Sequence, residues 1–500
     1  MKKIIILLLF LLINQFVVSQ TIVLDPTFGT NGTLELPYER LTPNGGGYGH
    51  SILLNNGKIL VLQGGQINGV TRSYLTRINS NGTIDTSFGD NGYVIFNYYT
   101  FYSFSIRIQD DNKIVIYGVA NPVKLHRFLE NGQPDLTFGT NGLVQVSGGF
   151  SAESYGPGGE RQNLVLLPEG RILIRYKFEG SGNLGYKLKC FNYDGTPYTA
   201  FGTNSELFTT SSGSGFISEF LFNSIDNKII GFRSEATGGF KVEKFNLDGS
   251  KDITFGTNGI LTTPWPFPGF VTNSITQDEN FKLLIQSNYF ENSIYKMGQI
   301  RLDSNGVLDT SFGNGGIIND VGFPNTYLSA PVIYNSKYYY TGGLIDVNSY
   351  EFNNQIIVST NNNGALNANF NTTGSYSDNA DSLHFGRDIL IQNDGKIIVI
   401  GSYKINNTTI KIFIKRYIDT SLTKENFNEN KLVFVNPVTE KLTFESQKKV
   451  KSISIHNSYG QKVSNSNSAE ISTSDLSKGI YFATILFDDA TFEVKKIIKK

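Results

Sequence analysis

Apolar and polar residues alternate along most of the chain in short runs, which are separated by turns rich in Asn, Asp and Gly. A period of two predicts β-strands that bury one face, and the turn residues mark where each strand ends. Long segments with a helical period are hard to find. The pattern therefore predicts an all-β protein built from many short strands.

One phrase returns along the chain as DTSFGDNGYV, DLTFGTNGLV, DITFGTNGIL and DTSFGNGGII, after LDPTFGTNGTL at residues 24–34. Its phenylalanine recurs every 50 to 63 residues, at Phe28, Phe88, Phe138, Phe201, Phe255, Phe312 and Phe370. A basic residue that opens a second apolar run keeps step with it, at Lys58, Lys113, Arg171, Lys228, Lys282, Lys337 and Lys396. A period of this size indicates stacked or radially arranged units.

Each unit offers four strands, a to d, which read HSILLNN, KILVLQGG, SYLTRINSNG and GYVIFN in the first complete unit. Seven such units predict a seven-bladed β-propeller. The chain begins with a lone d strand, GTLELP at 32–37, and its last unit offers a, b and c without d. We expect the N-terminal strand to close the last blade and leave no open edge. An open β-solenoid is the alternative fold.

The repeated phrase lies between strands c and d, where Asn and Gly supply positive φ at low cost. We interpret it as scaffold, with the phenylalanine anchoring the turn in the seam between blades. The aspartate of the phrase could instead bind calcium, but turn formation is the commoner role. That aspartate is found at Asp85, Asp135, Asp252 and Asp309.

Residues 1–20, MKKIIILLLFLLINQFVVSQ, join two lysines to a run of ten apolar residues, which predicts a secretory signal peptide. The run is too short to span a bilayer, so we expect no transmembrane segment. Lys+Arg and Asp+Glu balance at 43 each, so no overall field attracts nucleic acid. The single cysteine, Cys190, excludes an intramolecular disulfide and is expected to be inert core.

The phrase Gly-x-(Leu/Ile)-Asp-x-x-Phe-Gly-x-x-Gly, followed by a Gly-Lys-Ile run, resembles the delta-60 repeat of bacterial exported proteins. The resemblance covers residues from about 24 to 420, and the copies at Phe201 and Phe370 depart from the pattern. It implies a propeller, assigned here to residues 21–420, with no common activity attached.

Residues 421–430 read as a polar linker, and the alternating runs at 431–500 predict a small immunoglobulin-like β-sandwich. This segment resembles the type A sorting domain of the type IX secretion system of the Bacteroidota. The residues that carry the resemblance include Asn436, Pro437, Gly460, Gly479, Tyr481, Lys499 and Lys500. It implies a secreted or surface-displayed protein whose partners are the secretion translocon and a sortase. An adhesion module is the alternative.

Catalytic and metal-binding motifs are not evident in the sequence. His50, His126, His384 and His456 lie in separate units without metal-ligand spacing, and no nucleophile elbow or phosphate-binding loop is found. We therefore interpret the chain as a protein that is not an enzyme and that needs no metal or cofactor.

The connections from strand d to the next strand a are long and aromatic, and in a propeller they converge on one face. Aromatic rings on a polar loop surface suit an extracellular glycan or protein ligand. The candidate ligand-binding residues are Tyr48, Tyr99, Tyr155, Trp265, Phe267, Tyr327 and Phe385. Packing of these rings beneath the blades is an equally weighted alternative.

We thus predict an exported propeller that binds a glycan, a peptide or a surface protein without catalysis. One alternative is a glycan lyase or hydrolase that uses acids at the channel, for which Asp381, Asp388, Glu153 and Glu160 are placed in suitable loops. A second alternative is a purely structural surface protein.

Overall fold

In the computed structural model the regular secondary structure of the described residues is almost entirely β-strand, and the 500-residue chain divides into two compact units, Met1–Thr420 and Ser421–Lys500. The structure describes residues 22–40, 49–96, 104–118, 122–146, 149–150, 163–180, 183–209, 217–234, 240–263, 266–267, 272–347, 349, 351–378, 384–406, 409–420, 434, 436–444, 446, 449–457, 462–488 and 492–500. Within these residues no helix is long and apolar enough to cross a membrane. The prediction of an all-β protein is confirmed, while the predicted signal peptide lies outside the described residues.

The strands of the first unit are short and follow one another closely. The first half contains β1 (Ile22–Leu24), β2 (Thr33–Arg40), β3 (His50–Leu53), β4 (Ile59–Ile67), β5 (Val70–Ile78), β6 (Tyr93–Phe96), β7 (Phe104–Ile108), β8 (Ile114–Gly118), β9 (Val123–Phe128), β10 (Leu143–Val146), β11 (Gly149–Phe150), β12 (Leu164–Leu166), a 3-10 turn (Pro168–Gly170), β13 (Ile172–Gly180), β14 (Asn183–Phe191) and β15 (Glu206–Thr209). The second half contains β16 (Ile217–Asn223), β17 (Lys228–Ser234), β18 (Phe240–Phe245), β19 (Ile260–Thr263), β20 (Thr272–Gln277), β21 (Leu283–Glu291), β22 (Ile294–Leu302), β23 (Ile317–Ile318), β24 (Thr326–Leu328), β25 (Val332–Tyr334), β26 (Lys337–Asp346), β27 (Glu351–Asn361), β28 (Ser375–Ser377), β29 (His384–Ile391), β30 (Ile397–Lys404) and β31 (Ile410–Asp419).

These strands pair antiparallel in four-strand arrays, each in the order a, b, c, d. The arrays are β3-β4-β5-β6, β7-β8-β9-β10, β12-β13-β14-β15, β16-β17-β18-β19, β20-β21-β22-β23, β24-β26-β27-β28 and β29-β30-β31-β2. Strands β11, β25 and β1 add short pairings at β13, β26 and β31. Strand β2 also pairs with β4 through Glu39 and Gln66, so the last and first arrays form one sheet. We refer to these arrays as arrays 1 to 7 in this order.

The N-terminal strands pair with the last array. Strand β1 places Val23 opposite Ile418, and β2 places Leu34 opposite Ile414, both on β31. Further along β2, Tyr38 is fully buried and stacks on Tyr74 of array 1, with ring centroids 4.9 Å apart. The two ends of the unit are therefore held together by backbone hydrogen bonds and by a buried aromatic contact.

The apolar core lies between successive arrays rather than at one centre. Leu62 and Phe96 of array 1 pack in one cluster with Ile116 and Phe128 of array 2, and the next clusters join array 2 to 3 and so on along the chain. The cluster that contains Phe28 joins array 7 to array 1. Burial on both faces explains why many b strands are almost continuously apolar.

Each repeated phenylalanine is buried and fills the seam toward the next array, as the sequence predicts. A Cβ added to Gly132 of array 2 would lie 2.8 Å from the ring of Phe88 of array 1, so only glycine leaves room for the ring. The Gly89 N–H, next to Phe88, donates to the Asn131 carbonyl at 2.8 Å. Turn glycines and phenylalanines of neighbouring arrays therefore interlock.

A buried arginine of strand c holds the aspartate of the phrase. Arg127 is fully buried, its Nε donates to an Asp135 carboxylate oxygen at 2.8 Å, and its guanidinium lies 4.6 Å from the Phe138 ring. It also donates to the Tyr193 carbonyl of the next array. Lys113, the basic residue of strand b, lies 3.3 Å from the same carboxylate. These contacts occupy the carboxylate that the calcium alternative would use.

A cluster of the same kind joins the two ends of the first unit. Arg416 of the last array donates from Nε to Asp25, which precedes Phe28 near the N-terminus, at 2.8 Å. Its guanidinium lies 4.8 Å from the Phe28 ring, and it donates to the Ser80 carbonyl of array 1. The first and last repeats thus share one copy of the cluster.

Three arrays replace the ion pair while keeping its spacing. In array 3 the arginine and aspartate positions are Cys190 and Tyr198, and the Arg171 guanidinium lies 4.6 Å from the Tyr198 ring. In array 6 they are Ser359 and Asn367, which hydrogen bond at 3.2 Å, and in array 4 Lys244 stands for the arginine. Cys190 is fully buried, and burial raises its pKa to about 12, which agrees with an inert core thiol.

The second unit contains two sheets around its own apolar core. Its strands are β32 (Lys441–Thr443), β33 (Val450–Asn457), β34 (Lys462–Ser466), β35 (Glu470–Ser472), β36 (Gly479–Phe487) and β37 (Phe492–Lys499). The four-stranded sheet has the order β34-β33-β36-β37, and β32 pairs with β35. Leu442 and Ile471 of the small sheet pack in one cluster with Ile453 and Ile485 of the large one.

We predict that Asp135→Ala destabilises the first unit by about 3–5 kcal/mol, because it leaves the buried Arg127 charge without its carboxylate. Asp394→Ala is the matched control. Asp394 also pairs with a lysine, Lys396, at 2.8 Å, but its side chain is 54% exposed, so the loss should stay below about 1 kcal/mol. Urea denaturation of both variants tests this, and equal losses would contradict it.

We also predict that the first unit loses stability in acid because the Asp135 carboxylate becomes protonated. Burial acts to raise the pKa of this carboxyl, but hydrogen bonds from Thr137 and the Arg127 charge outweigh burial and lower the pKa to about 2. The unfolded value is about 3.9, so the contribution of about 2–3 kcal/mol is complete above pH ~4 and is lost as the pH falls toward about 2. Urea midpoints measured across this range should fall less steeply in Asp135→Asn than in the parent chain. Parallel curves would rule the mechanism out.

Candidate functional site

Three of the predicted ligand-binding residues are described by the structure, and they belong to arrays 5 to 7. Phe267 precedes strand a of array 5, Tyr327 lies on β24, and Phe385 lies on β29. Tyr48, Tyr99, Tyr155 and Trp265 lie outside the described residues.

Phe267 is part of the packing of array 5. Its side chain is 6% exposed and its ring stacks on Tyr289, with centroids 5.0 Å apart and planes 18° apart. It covers Gly298 of strand c, where an added Cβ would lie 2.5 Å from the ring. This geometry follows the packing alternative, in which a loop aromatic seals the end of a blade.

Tyr327 and Phe385 meet a third ring, Phe352, which lies on the b–c hairpin of array 6. The Phe352 centroid is 4.3 Å from that of Phe385 and 5.8 Å from that of Tyr327. Phe385 is buried, whereas Tyr327 and Phe352 are partly exposed. Gly343 makes room for the pair, because an added Cβ would lie 2.9 Å from Phe385. The three rings therefore form a cluster in which Phe385 is buried and Tyr327 and Phe352 are partly exposed.

A second aromatic pair lies at the tip of the β21–β22 hairpin. Phe290 is 46% exposed, and its centroid lies 4.8 Å from that of Tyr295. The turn residues between them, Asn292 and Ser293, both have positive φ, 51° and 64°, as a two-residue hairpin turn that matches strand twist requires. A tight turn therefore brings the two rings together on one tip.

Asn325 connects the two aromatic groups. Its side-chain oxygen accepts from the Tyr295 N–H at 3.1 Å, and its own N–H donates to the Tyr295 carbonyl at 2.8 Å. Its carbonyl accepts from the Ile345 N–H of array 6 at 2.7 Å. The segment that leads to Tyr327 is thus fixed between the two hairpins. We name Phe290, Tyr295, Tyr327, Phe352 and Phe385 together the aromatic surface.

Ion pairs border the aromatic surface. Lys296 pairs with Glu291 at 2.9 Å beside the β21–β22 tip, and Lys404 pairs with Glu351, next to Phe352, at 2.7 Å. Each of these four side chains is partly exposed. The border is therefore polar and close to neutral, which favours an uncharged polar ligand over a strongly charged one.

The ionisable groups of the innermost strands join neighbouring arrays. Asp388 accepts from the Ser51 N–H at 2.9 Å and from the Ser51 hydroxyl, across the seam between arrays 7 and 1. His50 Nδ1 accepts from the Ile106 N–H at 2.9 Å, and Glu219 accepts from the Ile275 N–H at 2.7 Å. These side chains bind backbone that the sheets leave unpaired, which gives them a structural role.

Of the four acids considered for a glycan-active enzyme, Asp388 is the one that lies in the described part of the chain. Asp381, Glu153 and Glu160, the other acids considered for a glycan-active enzyme, lie outside it. The described residues contain no group of three or more His, Cys, Asp or Glu side chains that could hold a metal ion.

The residues that carry the sorting-domain resemblance gather at the end of β37. The Asn436 side chain donates to the Lys496 carbonyl at 3.1 Å and accepts from the Ile498 N–H at 2.8 Å. Gly479 pairs with Lys499, and the Lys500 N–H donates to the Val438 carbonyl at 3.0 Å.

Tyr481 anchors the turn that precedes β36, and Pro437 lies next to Asn436. The Tyr481 ring is buried and its hydroxyl donates to the Ser477 carbonyl at 3.0 Å, while Pro437 follows Asn436 through a cis peptide bond. Gly460 lies outside the described residues. Asn436, Gly479 and Lys500 therefore hold the last residues of the chain against neighbouring strands.

Two family models match the chain. Residues 432–500 match the family described as secretion system C-terminal sorting domain, and residues 54–88 match a β-propeller domain of unknown function, DUF5122. The resemblance to an exported repeat propeller with a type IX sorting tail is confirmed by these matches. The chain is therefore delivered by type IX secretion to the cell surface or the extracellular space. No curated protein matches it in sequence.

Several solved structures are similar in fold. The polysaccharide lyase Uly1 shares 12% identity over 75% of this chain and 90% of its own, with a TM-score of 0.42. A Trypanosoma rangeli sialidase in complex with sialic acid shares 8% identity over 93% of this chain and 88% of its own, with a TM-score of 0.38. The PQQ-bound aldose sugar dehydrogenase from Streptomyces coelicolor shares 10% identity over 63% and 98%, with a TM-score of 0.33.

These likenesses correct one interpretation of the sequence. The conclusion that the chain is not an enzyme is wrong as it was drawn, because the similar structures include a polysaccharide lyase and sialidases. The absence of motifs from the sequence argued only against a nucleophile elbow and a phosphate-binding loop. A site assembled from residues of separate blades has no contiguous motif. At these identities and TM-scores the likeness assigns no activity to this chain.

We predict that Gly298→Ala destabilises the first unit by about 1–3 kcal/mol, because the new methyl group would overlap the Phe267 ring. In a Phe267→Leu background the same change should cost clearly less, since the shorter side chain leaves space. Urea midpoints of the parent, both single variants and the double variant measure the coupling. Equal costs in both backgrounds would show that Phe267 does not pack on this glycine.

Proposed function

We propose that this chain is an exported β-propeller that binds a carbohydrate polymer at the aromatic surface of arrays 5 to 7. One observation carries the proposal. Five aromatic rings from three successive arrays form a pair and a cluster of three, which Asn325 connects, and the buried Phe385 supports partly exposed rings. Rings held in this way lose little conformational freedom when a ligand binds.

Sugar is the ligand class that this surface fits best. A sugar ring has an apolar face of C–H groups and a polar edge, so it matches an aromatic ring that has polar neighbours. The bordering ion pairs, Lys296–Glu291 and Lys404–Glu351, offer hydrogen-bond donors and acceptors without a large net charge. Successive rings on three arrays suit a chain of sugar units more than a single sugar.

We further propose that the propeller has seven blades within residues 21–420, closed by the N-terminal strand, as in delta-60 repeat proteins. Support comes from the seven four-strand arrays and from the core cluster that joins array 7 to array 1 through Phe28. Residues 1–20 would then be a signal peptide and 421–430 a linker. Residues 431–500 would be an immunoglobulin-like sandwich that the translocon and a sortase of a Bacteroidota cell recognise.

The test is a glycan and peptide array probed with the purified full chain and with Phe290→Ala. Phe208→Ala is the matched control, because Phe208 is also 46% exposed but lies on β15 of array 3. We expect glycan binding that weakens about tenfold or more in Phe290→Ala, about 1.4 kcal/mol, and that is unchanged in Phe208→Ala.

The same screen of printed glycans and peptides also distinguishes the other ligand classes. Peptide binding without glycan binding, or equal loss in both variants, would contradict the assignment. Incubation of each bound glycan with the parent chain, followed by mass analysis of the products, shows whether binding leads to cleavage.

A further inference from the structure

The C-terminal unit exposes an apolar sheet face. Strand β36 alternates, so that Tyr481, Ala483 and Ile485 point into the core while Ile480 and Phe482 point to the opposite side. Such alternation normally places polar residues outward. Here the outward positions are apolar, so the large sheet carries apolar side chains on both of its faces.

The neighbouring strand continues this face. Ile480 is paired with Ile498, and Phe482 with Lys496, across the β36–β37 ladder. Further along, Thr484 is paired with Val494. Side chains directly opposite each other in an antiparallel pair lie on the same face and touch. The apolar positions therefore form one patch rather than scattered exposed residues.

The exposure of this patch is unusual for the surface of a small domain. The relative exposures are 65% for Phe492, 51% for Val494, 47% for Ile480, 41% for Ile498 and 40% for Phe482. Contiguous exposed apolar patches usually mark a place where another surface binds. We name these five residues the outer face.

The charge on the outer face indicates the chemistry of its partner. Lys496 points outward among the apolar side chains, opposite Phe482. The outward positions of β36 and β37 hold no Asp or Glu. A second copy of this face would bury Lys496 without a carboxylate, which is costly. A partner that brings its own carboxylates to an apolar groove meets both demands.

We propose that the outer face is the surface by which a protein of the export machinery, with an apolar groove bordered by acidic side chains, binds this sorting domain. The argument rests on the sorting role of residues 432–500 and goes beyond glycan binding in the first unit. A sorting domain must present a surface that the machinery recognises. The outer face is apolar, basic and set on rigid strands, which suits specific recognition by a protein.

The test uses the full chain in a bacterium that has type IX secretion. The variant Ile480→Thr/Phe482→Thr/Val494→Thr removes apolar surface but keeps residues that favour strands. We expect at least a tenfold drop in the chain found on the cell surface and in the medium, with retention inside the envelope. Lys441→Thr/Glu470→Thr, which removes an exposed pair on the small sheet, should be exported like the parent.

Three further results separate the explanations. The thermal midpoint of the purified triple variant should stay within about 3 °C of the parent, so that lost export is not lost folding. Lys496→Glu should reduce export while Lys496→Arg keeps it, and equal export of the two would overturn the acidic partner. Export of the triple variant at the parental level would overturn the proposal. So would binding of the parent, but not the triple variant, to vesicles of phosphatidylethanolamine and phosphatidylglycerol, because the face would then serve a lipid surface.

Discussion

The interlock between one repeat and the next is the constraint on which the first unit depends. A buried phenylalanine, the glycine turn of the following array and a buried Arg–Asp pair meet at each regular seam, as Phe138, Gly195, Arg127 and Asp135 do. The Arg127–Asp135 pair forms within array 2, but the glycine that makes room for the Phe138 ring and the carbonyl that accepts from Arg127 belong to array 3. An array that lacked its neighbour would leave its arginine and apolar face exposed, so the arrays are stable only in series.

The arrays that lack the Arg–Asp pair show which contacts of the interlock can be replaced. Cys190 with Tyr198, and Ser359 with Asn367, replace both members of the Arg–Asp pair, whereas array 4 replaces the arginine by another cation, Lys244, and keeps the aspartate, Asp252. A buried charge without a partner is expensive, whereas two uncharged groups can fill the same space at modest cost. Phenylalanine is kept in all seven positions and remains buried, which marks the ring as the less replaceable element.

The proposed ligand surface and the scaffold use the same residue types in different places. Phe267 and Phe385 close the ends of arrays, while Phe290 and Phe352 lie on hairpins that extend beyond them. The ionisable side chains at the innermost strands, His50, Glu219 and Asp388, bind backbone groups of the next array. These three side chains therefore serve the scaffold, and the proposed ligand surface lies at the hairpins. Export depends on the second unit, whose surface is built independently of this arrangement.

The sequence by itself determined the strand content, the repeat, the d strand at the N-terminus and the sorting tail, because each is encoded in local patterns that recur or match a family. It also predicted the buried phenylalanine, since the turn residues around it are explicit. Only the tertiary structure decided which aromatics are exposed. Phe267 and Phe385 come from the predicted loops yet are buried, and Phe290, Tyr295 and Phe352 were missed because their hairpins read as ordinary strand ends. Exposure depends on which neighbouring array covers a side chain, and the outer face of β36 and β37 follows from pairing across strands. Neither the exposure of the aromatic rings nor the outer face can be predicted from the local alternation of apolar and polar residues, because the contact partners are distant along the chain.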